Sequence, residues 1–222
     1  MALVDDGRIV DERAGDPSRT HGERLPGELV ALGVEWSSVD VFAVCVGPGS
    51  FTGLRIGIAT IQGLALVGKR PVVGVSGLET LAQLASRDSA EGATIGAWVD
   101  AQRGEVFSAL YRVGTGELFT PERLIELEAP AVAAPLAAMD AWSRYDLTST
   151  LLAGDGAVRY ARALEESGAI MRIAQPALLA GAIGCMASIL AERGLATAPD
   201  AVRPLYVRRP DAEIHRQRQA TR

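Results

Sequence analysis

Apolar positions along this chain follow two rhythms, and where one gives way to the other marks the elements. Ala2-Leu3-Val4 and Ile9-Val10 flank Asp5-Asp6-Gly7-Arg8, and an Asp-Gly step between two short apolar runs predicts a hairpin, so the chain is expected to open inside a sheet. Residues 21 to 33 carry Leu25, Leu29, Val30 and Leu32 on an apolar side and predict a helix despite Pro26. Val41 to Val46 is a continuous apolar run, as a strand covered on both faces requires, and it stops at Gly47-Pro48-Gly49. From Thr52 to about Gly68 the spacing of Leu54, Ile58, Ile61 and Leu64 is helical, and Val72-Val73-Gly74-Val75 begins another strand. Strand, glycine-rich turn, helix and strand make a βαβ-type unit.

The pattern changes after a helix at roughly 77 to 86. The polar stretch Arg87 to Gly92 separates the first unit from strands at Thr94 to Val99 and Glu105 to Val113, joined at Gln102-Arg103-Gly104. A helix near 129 to 140, a strand near 149 to 153, the turn Gly154-Asp155-Gly156, a helix to about 167, a short strand near 170 and a long helix from 177 to 193 complete the order. Strands and helices alternate throughout, so the fold class is α/β in two lobes. The expected division is residues 1–90 for the N-terminal lobe and 91–194 for the C-terminal lobe. The segment 195–222 and the final helix are left free to return to the first lobe.

Composition changes this picture in three places. With 48% hydrophobic and 22% charged residues the chain is far from the regime of disorder, and 5% aromatics means an aliphatic core. No uninterrupted apolar run approaches the length of a membrane span, and Asp5, Asp6 and Arg8 stand where a signal segment would be basic and then apolar, so a cytoplasmic protein with no membrane partner is expected. Cys45 and Cys185, in separate apolar segments, read as buried free thiols. The net charge of −5 hides a basic tail, six arginines from Arg203 onward against Asp211 and Glu213, and Lys69 is the only lysine.

Candidate chemistry is sparse. Gly63 to Arg70 has the spacing of a phosphate loop up to its last position, where Arg70 replaces the metal-holding hydroxyl, and an apolar helix occupies the loop's place. Gly47-Pro48-Gly49-Ser50-Phe51-Thr52-Gly53 does follow a strand and open a helix, yet its spacing is not that of a dinucleotide fingerprint. The plainer reading is a turn made by Gly47 and Gly49, a helix cap at Ser50 or Thr52, and close backbone approach at Gly53 and Gly57. His21 and His215 are the only histidines, which rules out a His-x-x-x-His metal pair within the chain and leaves Cys45 without a positioned base. Asp100 and Asp155 each end a predicted strand, where α/β folds place ligand-binding carboxylates, although a turn or cap aspartate accounts for both.

Val46-Gly-Pro-Gly-Ser-Phe-Thr-Gly-Leu-Arg-Ile-Gly57, continuing to Gln62-Gly-Leu-Ala65, closely resembles the TsaB family, the partner subunit in bacterial threonylcarbamoyladenosine synthesis on tRNA. Weaker matches run along nearly the whole chain: His21 to Pro26, Val99 to Phe107, Gly154 to Ala157, Pro204 to Arg208, and Asp211 to Glu213. The resemblance implies an actin/Hsp70-like ATPase (ASKHA) fold. Leu25 stands where the catalytic sister family, TsaD, has the second histidine of a metal pair, and leucine cannot ligate a metal. The implied protein is therefore a non-catalytic, metal-free subunit that binds and activates a TsaD-type catalytic subunit. That partner transfers threonylcarbamoyl to the adenosine beside the anticodon.

The resemblance also implies a TsaE-type ATPase as a further complex member, tRNA engaged through the complex, and a homodimer when the partner is absent. No cofactor is expected in the isolated chain, with ATP or ADP held at the interface of the complex. The expected partner surface is the glycine-smoothed face Gly53, Leu54, Gly57, Ile58 and Ile61, with Leu25 and Leu29 of the preceding helix. Gly47, Gly49, Ser50, Asp100, Gly154 and Asp155 are the expected nucleotide contacts. Family members begin with a strand upstream of the hairpin that opens this chain, so an upstream-extended chain is expected to be more stable. The competing reading is a small ATPase or kinase of the same fold using Asp100 and Asp155, with a peptidase behind it.

Overall fold

The computed structural model describes residues 1–16, 18–167, 172–175 and 177–208. The basic tail beyond Arg208, with Asp211, Glu213 and His215, lies outside the described residues, as does the start of the strand expected near 170.

Two short strands, β1 (Ala2–Asp5) and β2 (Arg8–Glu12), pair antiparallel through a turn in which Asp6 and Gly7 take φ of 44° and 70°. Both central residues are left-handed, which is the geometry that the Asp-Gly signal encodes. Helix α1 (His21–Ala31) starts at Thr20, whose backbone N–H donates to the Glu23 carboxylate at 2.7 Å. Strand β3 (Phe42–Gly47), helix α2 (Phe51–Gly68) and strand β4 (Val72–Ser76) follow as expected, with β3 and β4 parallel.

Helix α3 (Gly77–Ala85) leads from β4 to a five-stranded sheet of order β7-β6-β5-β8-β9. Its members are β5 (Thr94–Asp100), β6 (Val106–Val113), β7 (Leu124–Ala133), β8 (Leu151–Ala153) and β9 (Arg172–Ile173). An antiparallel meander runs from β5 through β6 to β7, and β8 and β9 lie parallel on the other side of β5. Helices α4 (Pro135–Ala141), α5 (Asp155–Glu166) and α6 (Ala180–Glu192) complete the fold.

Two expectations are corrected. Residues 129–133 are not helical: they finish β7, and the helix is confined to Pro135–Ala141. The alanine-rich run favours a helix locally, but the register of β6, which pairs Val106 with Ala133 and Phe107 with Val132, overrides that preference. The opening hairpin does not join a larger sheet; β1 and β2 pair only with each other, and β3 and β4 form a separate parallel pair.

Helix α6 supplies the common support for these two pairs, packing against β1, β2, β3 and β4. It does so with small residues. A Cβ on Gly184 would stand 2.5 Å from Val4, and one on Gly181 2.4 Å from Ile9, so the hairpin lies directly on the helix backbone. The Gly181 N–H also donates to the Glu12 carboxylate at 2.7 Å. Farther along, Ile183, Met186 and Ala187 of α6 form a core with Val73 and Val75 of β4. The final helix thus returns to the first half of the molecule. A second core, built from Leu78, Leu81 and Ala82 of α3 with Ile95, Phe107, Ala109 and Tyr111, fills the space under the five-stranded sheet.

One charged group sits against that second core. Burial pushes the Glu79 carboxyl above the ordinary carboxylate range, and the neighbouring Glu126 carboxylate adds to the effect. A carboxyl whose pKa is raised by folding favours the folded state while it is protonated, and that stability is lost as the pH rises through its folded pKa. Glu79→Gln is therefore expected to raise the melting temperature at pH 7, with the advantage vanishing toward pH 4. Thermal unfolding of both proteins across that range checks it, and an equal gain at both ends would contradict it.

Candidate functional site

The carboxyl ends of β3 and β5 carry the residues singled out for nucleotide contact. After β3 the chain turns through Gly47, with φ of 119°, and Ser50 caps α2 by accepting the Gly53 N–H on its hydroxyl at 3.3 Å. A Ser cap is worth about 1 kcal/mol, so the Gly-Pro-Gly-Ser string is explained by turn and cap chemistry. A Cβ on Gly47 would lie 2.9 Å from the Leu205 carbonyl oxygen, whereas Gly49 has open space around it. Only the first glycine is required by packing.

At the end of β5, Asp100, Gly154 and Asp155 are brought together. The Asp100 N–H donates to Asp155 Oδ1 at 3.0 Å, and the Asp100 carboxylate accepts from the Gln102 backbone at 3.1 Å, the Gln102 side chain at 2.8 Å and Arg159 Nη1 at 3.0 Å. Its side chain is only 7% exposed. Both carboxylates therefore have internal work: Asp155 joins the start of α5 to β5, and Asp100 organises the turn that follows, in which Gln102 and Arg103 take φ near 59° and 58°. Gly154 and Gly156 permit this junction, since a Cβ at either would stand 2.1 Å and 3.0 Å from the backbone of β5. Among the described residues no group of three His, Cys, Asp or Glu side chains converges as a metal site.

The expected docking residues fall on different faces. Ile58 is 4% exposed and belongs to the core with Phe42, Val44, Ala65 and Val72, so its side chain faces β3 and β4 and is not presented to a partner. Ile61 packs against the same core, and Leu54 leans on Gly47. Gly53 is half-buried in the first turn. Gly57 is open: nothing lies within 4 Å of its Cβ position, so no backbone approaches it within the chain. On α1, which lies beside α2 with Gly22 against Ile56, Leu25 and Leu29 are half-buried.

Other side chains of these helices are exposed and were not anticipated. Leu66 is 70% exposed, Val67 87% and Val30 78%. Only Ile58 and Ala65 of the 18 residues of α2 are buried, although its mean hydropathy of 1.4 is that of a helix able to cross a membrane by length and composition. Among the described residues α2 thus buries one stripe against its own sheet and leaves Leu66 and Val67 uncovered. The unbroken run Leu64 to Val67 was the sequence signal for it.

Cys185 is buried as expected, whereas Cys45, beneath the turn, is only half-buried; desolvation pushes both pKa values up, which disfavours the thiolate that a nucleophile needs.

Comparison with known proteins follows the same line. The family model described as TsaD, tRNA N6-adenosine threonylcarbamoyltransferase, matches residues 17–215. The tRNA threonylcarbamoyladenosine biosynthesis protein TsaB of Escherichia coli is 41% identical over 117 residues, which are 50% of this chain and 49% of that protein. TsaB of Haemophilus influenzae is 40% identical over 93 residues, 40% of this chain and 39% of that one. The chain thus spans about half the length of the curated relatives it matches or less. A crystal structure from Pseudomonas aeruginosa, of an uncharacterised protein with similarity to peptidase YeaZ, superposes with a TM-score of 0.72 at 29% identity and covers 93% of both chains.

The junction at Gly154 gives a direct test of the packing argument. Gly154→Ala places a methyl against the Trp98 carbonyl at a φ of 111° and is expected to cost about 3 kcal/mol or more, a fall in melting temperature of roughly 6–12 °C. Gly57→Ala, in open space within a helix, is expected to leave stability equal or slightly higher. Calorimetry of the two variants separates these outcomes.

Proposed function

The chain belongs to the TsaD family of the matching model, with the actin/Hsp70-like fold of that family, and we propose that it has the role of its TsaB relatives, a subunit of the threonylcarbamoyladenosine machinery that acts by docking. The observation that carries this reading is the uncovered apolar face of α2. Leu66 and Val67 stand exposed there, with the open Gly57 and Gly63 on the same helix and Val30 on the helix beside it. Fully burying one Leu or Val side chain is worth about 1.5–3 kcal/mol, so Leu66 and Val67 together supply several kcal/mol on association, less the cost of ordering the complex.

The partner of this face is a TsaD-type catalytic subunit, the protein that transfers threonylcarbamoyl to the adenosine next to the anticodon of tRNA. No bond is made or broken by this chain. The commitments of Asp100 support that division of labour: its carboxylate is taken up by Gln102 and Arg159, while the exposed Asp155 gives one oxygen to the Asp100 N–H. A TsaE-type ATPase and tRNA join through the complex, and ATP or ADP binds at the interface rather than to the chain alone. In the absence of the catalytic subunit the same apolar face pairs two copies of the chain.

Reconstitution of the pathway with and without this chain, reading threonylcarbamoyladenosine in digested tRNA by mass spectrometry, tests the role. Product is expected only when the chain is present, and product independent of it would overturn the proposal. Leu66→Asp and Gly57→Leu are expected to weaken binding to the catalytic subunit by tenfold or more while leaving the melting temperature within a few degrees of the parent, because neither position is packed within the chain. Calorimetric titration against the catalytic subunit reads both.

A further inference from the structure

The last described stretch of the chain runs from one half of the molecule to the other. Val202, 7% exposed, is part of the core formed by α2, β3 and β4, and its carbonyl, together with that of Pro199, accepts from the Gln62 side chain. The Leu205 N–H then donates to the Val46 carbonyl at 2.7 Å, at the end of β3. Tyr206 stacks on Phe51 with ring centres 5.0 Å apart, and its hydroxyl accepts from Arg55 Nε at 3.0 Å. The guanidinium of Arg55 in turn lies over the Phe51 ring, 4.2 Å from its centre.

The next two residues grip the other half. Val207 packs against the core beneath the five-stranded sheet. Arg208 donates through Nη1 to the Ala101 carbonyl at 2.7 Å and through Nη2 to the Glu105 carboxylate, with its guanidinium 5.4 Å from the Phe107 ring centre. Leu205 and Arg208 are three residues apart, roughly 10 Å of extended chain, so one short segment holds the end of β3 and the turn after β5 at a fixed separation.

The halves are also bridged by α3, which packs against β3 and β4 on one side and against β5, β6 and β8 on the other, and at the end of α6, where Arg193 pairs with the Glu122 carboxylate at 2.6 Å and 3.0 Å and Phe119 packs on the core of α6 and β4. Relative motion is the default for parts joined by modest contacts, and each further joint restricts it. We infer that residues 202–208 are a clasp that adds a joint between the end of β3 and the turn after β5, with Arg208 as a positioning residue whose release also frees Leu205 and Tyr206 at the other end. Since one of its two grips is a partly exposed ion pair, the clasp is sensitive to salt and to whatever binds near Glu105. Its consequence for docking rests on the reading above: with the clasp closed, a partner seated on α2 carries the five-stranded sheet to a set place.

Residue-resolved amide exchange on the full chain tests the clasp without any partner. In Arg208→Ala the Leu205 amide, bonded at the opposite end, is expected to exchange at least tenfold faster, and Glu105→Gln should move it in the same direction by less. The Ala101 amide, held by the Glu105 carbonyl, is expected to quicken in Tyr206→Ala. Amides of β5 and α6 staying protected in all variants shows that the fold persists. An unchanged Leu205 amide in Arg208→Ala would overturn the inference and reduce Arg208 to a local contact. Loss of partner binding in Leu66→Asp, or its absence, bears on the docking reading alone.

Discussion

The arrangement of the first half depends on the backbone of α6 being bare. Gly181 and Gly184 let Ile9 and Val4 approach to distances that a single methyl on either would forbid. Because of that approach a two-stranded hairpin is held in place, with the Gly181 N–H bonded to Glu12, and the same helix continues under β3 and β4. Past Gly194 the chain bridges back to β4, where Val72 and Thr197 exchange backbone hydrogen bonds at 2.9 Å in each direction. The route to the clasp is thereby fixed: helix, bridge to β4, contact with Gln62, then the end of β3. A bulkier residue in α6 would displace the hairpin first and the bridge after it.

Helix α2 does two jobs that usually fall to separate elements. Its inner stripe, with Ile58 and Ala65, closes the core over β3 and β4. Its outer turns leave Leu66 and Val67 exposed among the described residues, an apolar surface that a partner would cover. On the outer side Ala59 and Gly63 keep the helix thin beside Leu66 and Val67, so a partner can come close to its backbone. Glycine within a helix costs about 1 kcal/mol relative to alanine. Tolerating that cost at open positions is consistent with a surface shaped for contact.

Much of the fold was legible because it is encoded locally. The Asp6-Gly7 turn, the Ser50 cap and the strand–turn–helix–strand unit each follow from a few neighbouring residues. The error at residues 129–133 has the opposite cause: alanine-rich sequence prefers a helix in isolation, and only pairing with β6, distant in the chain, makes it a strand. The place of Ile58 on α2 was hidden for a related reason. Apolar residues surround that helix, so periodicity identifies the helix and leaves open which stripe is the core. Ile58 looked as available as Leu66 until β3 was placed. Asp100 ends β5 as expected, whereas Asp155 opens α5, and the partners of Asp100, Gln102 and Arg159, lie in a turn and on a helix whose approach only the folded chain fixes.

Lys69 ends α2 in a left-handed conformation with φ of 52°, exposed, two residues from Val67. It is also the only lysine in the sequence, every other basic side chain being arginine or histidine. Amine-reactive chemistry on the side chains of this protein is therefore confined to one address, at the rim of its uncovered apolar face. A dye or a photocrosslinker attached there needs no engineered cysteine, and it sits where a neighbouring molecule on α2 would change its emission or be captured by it.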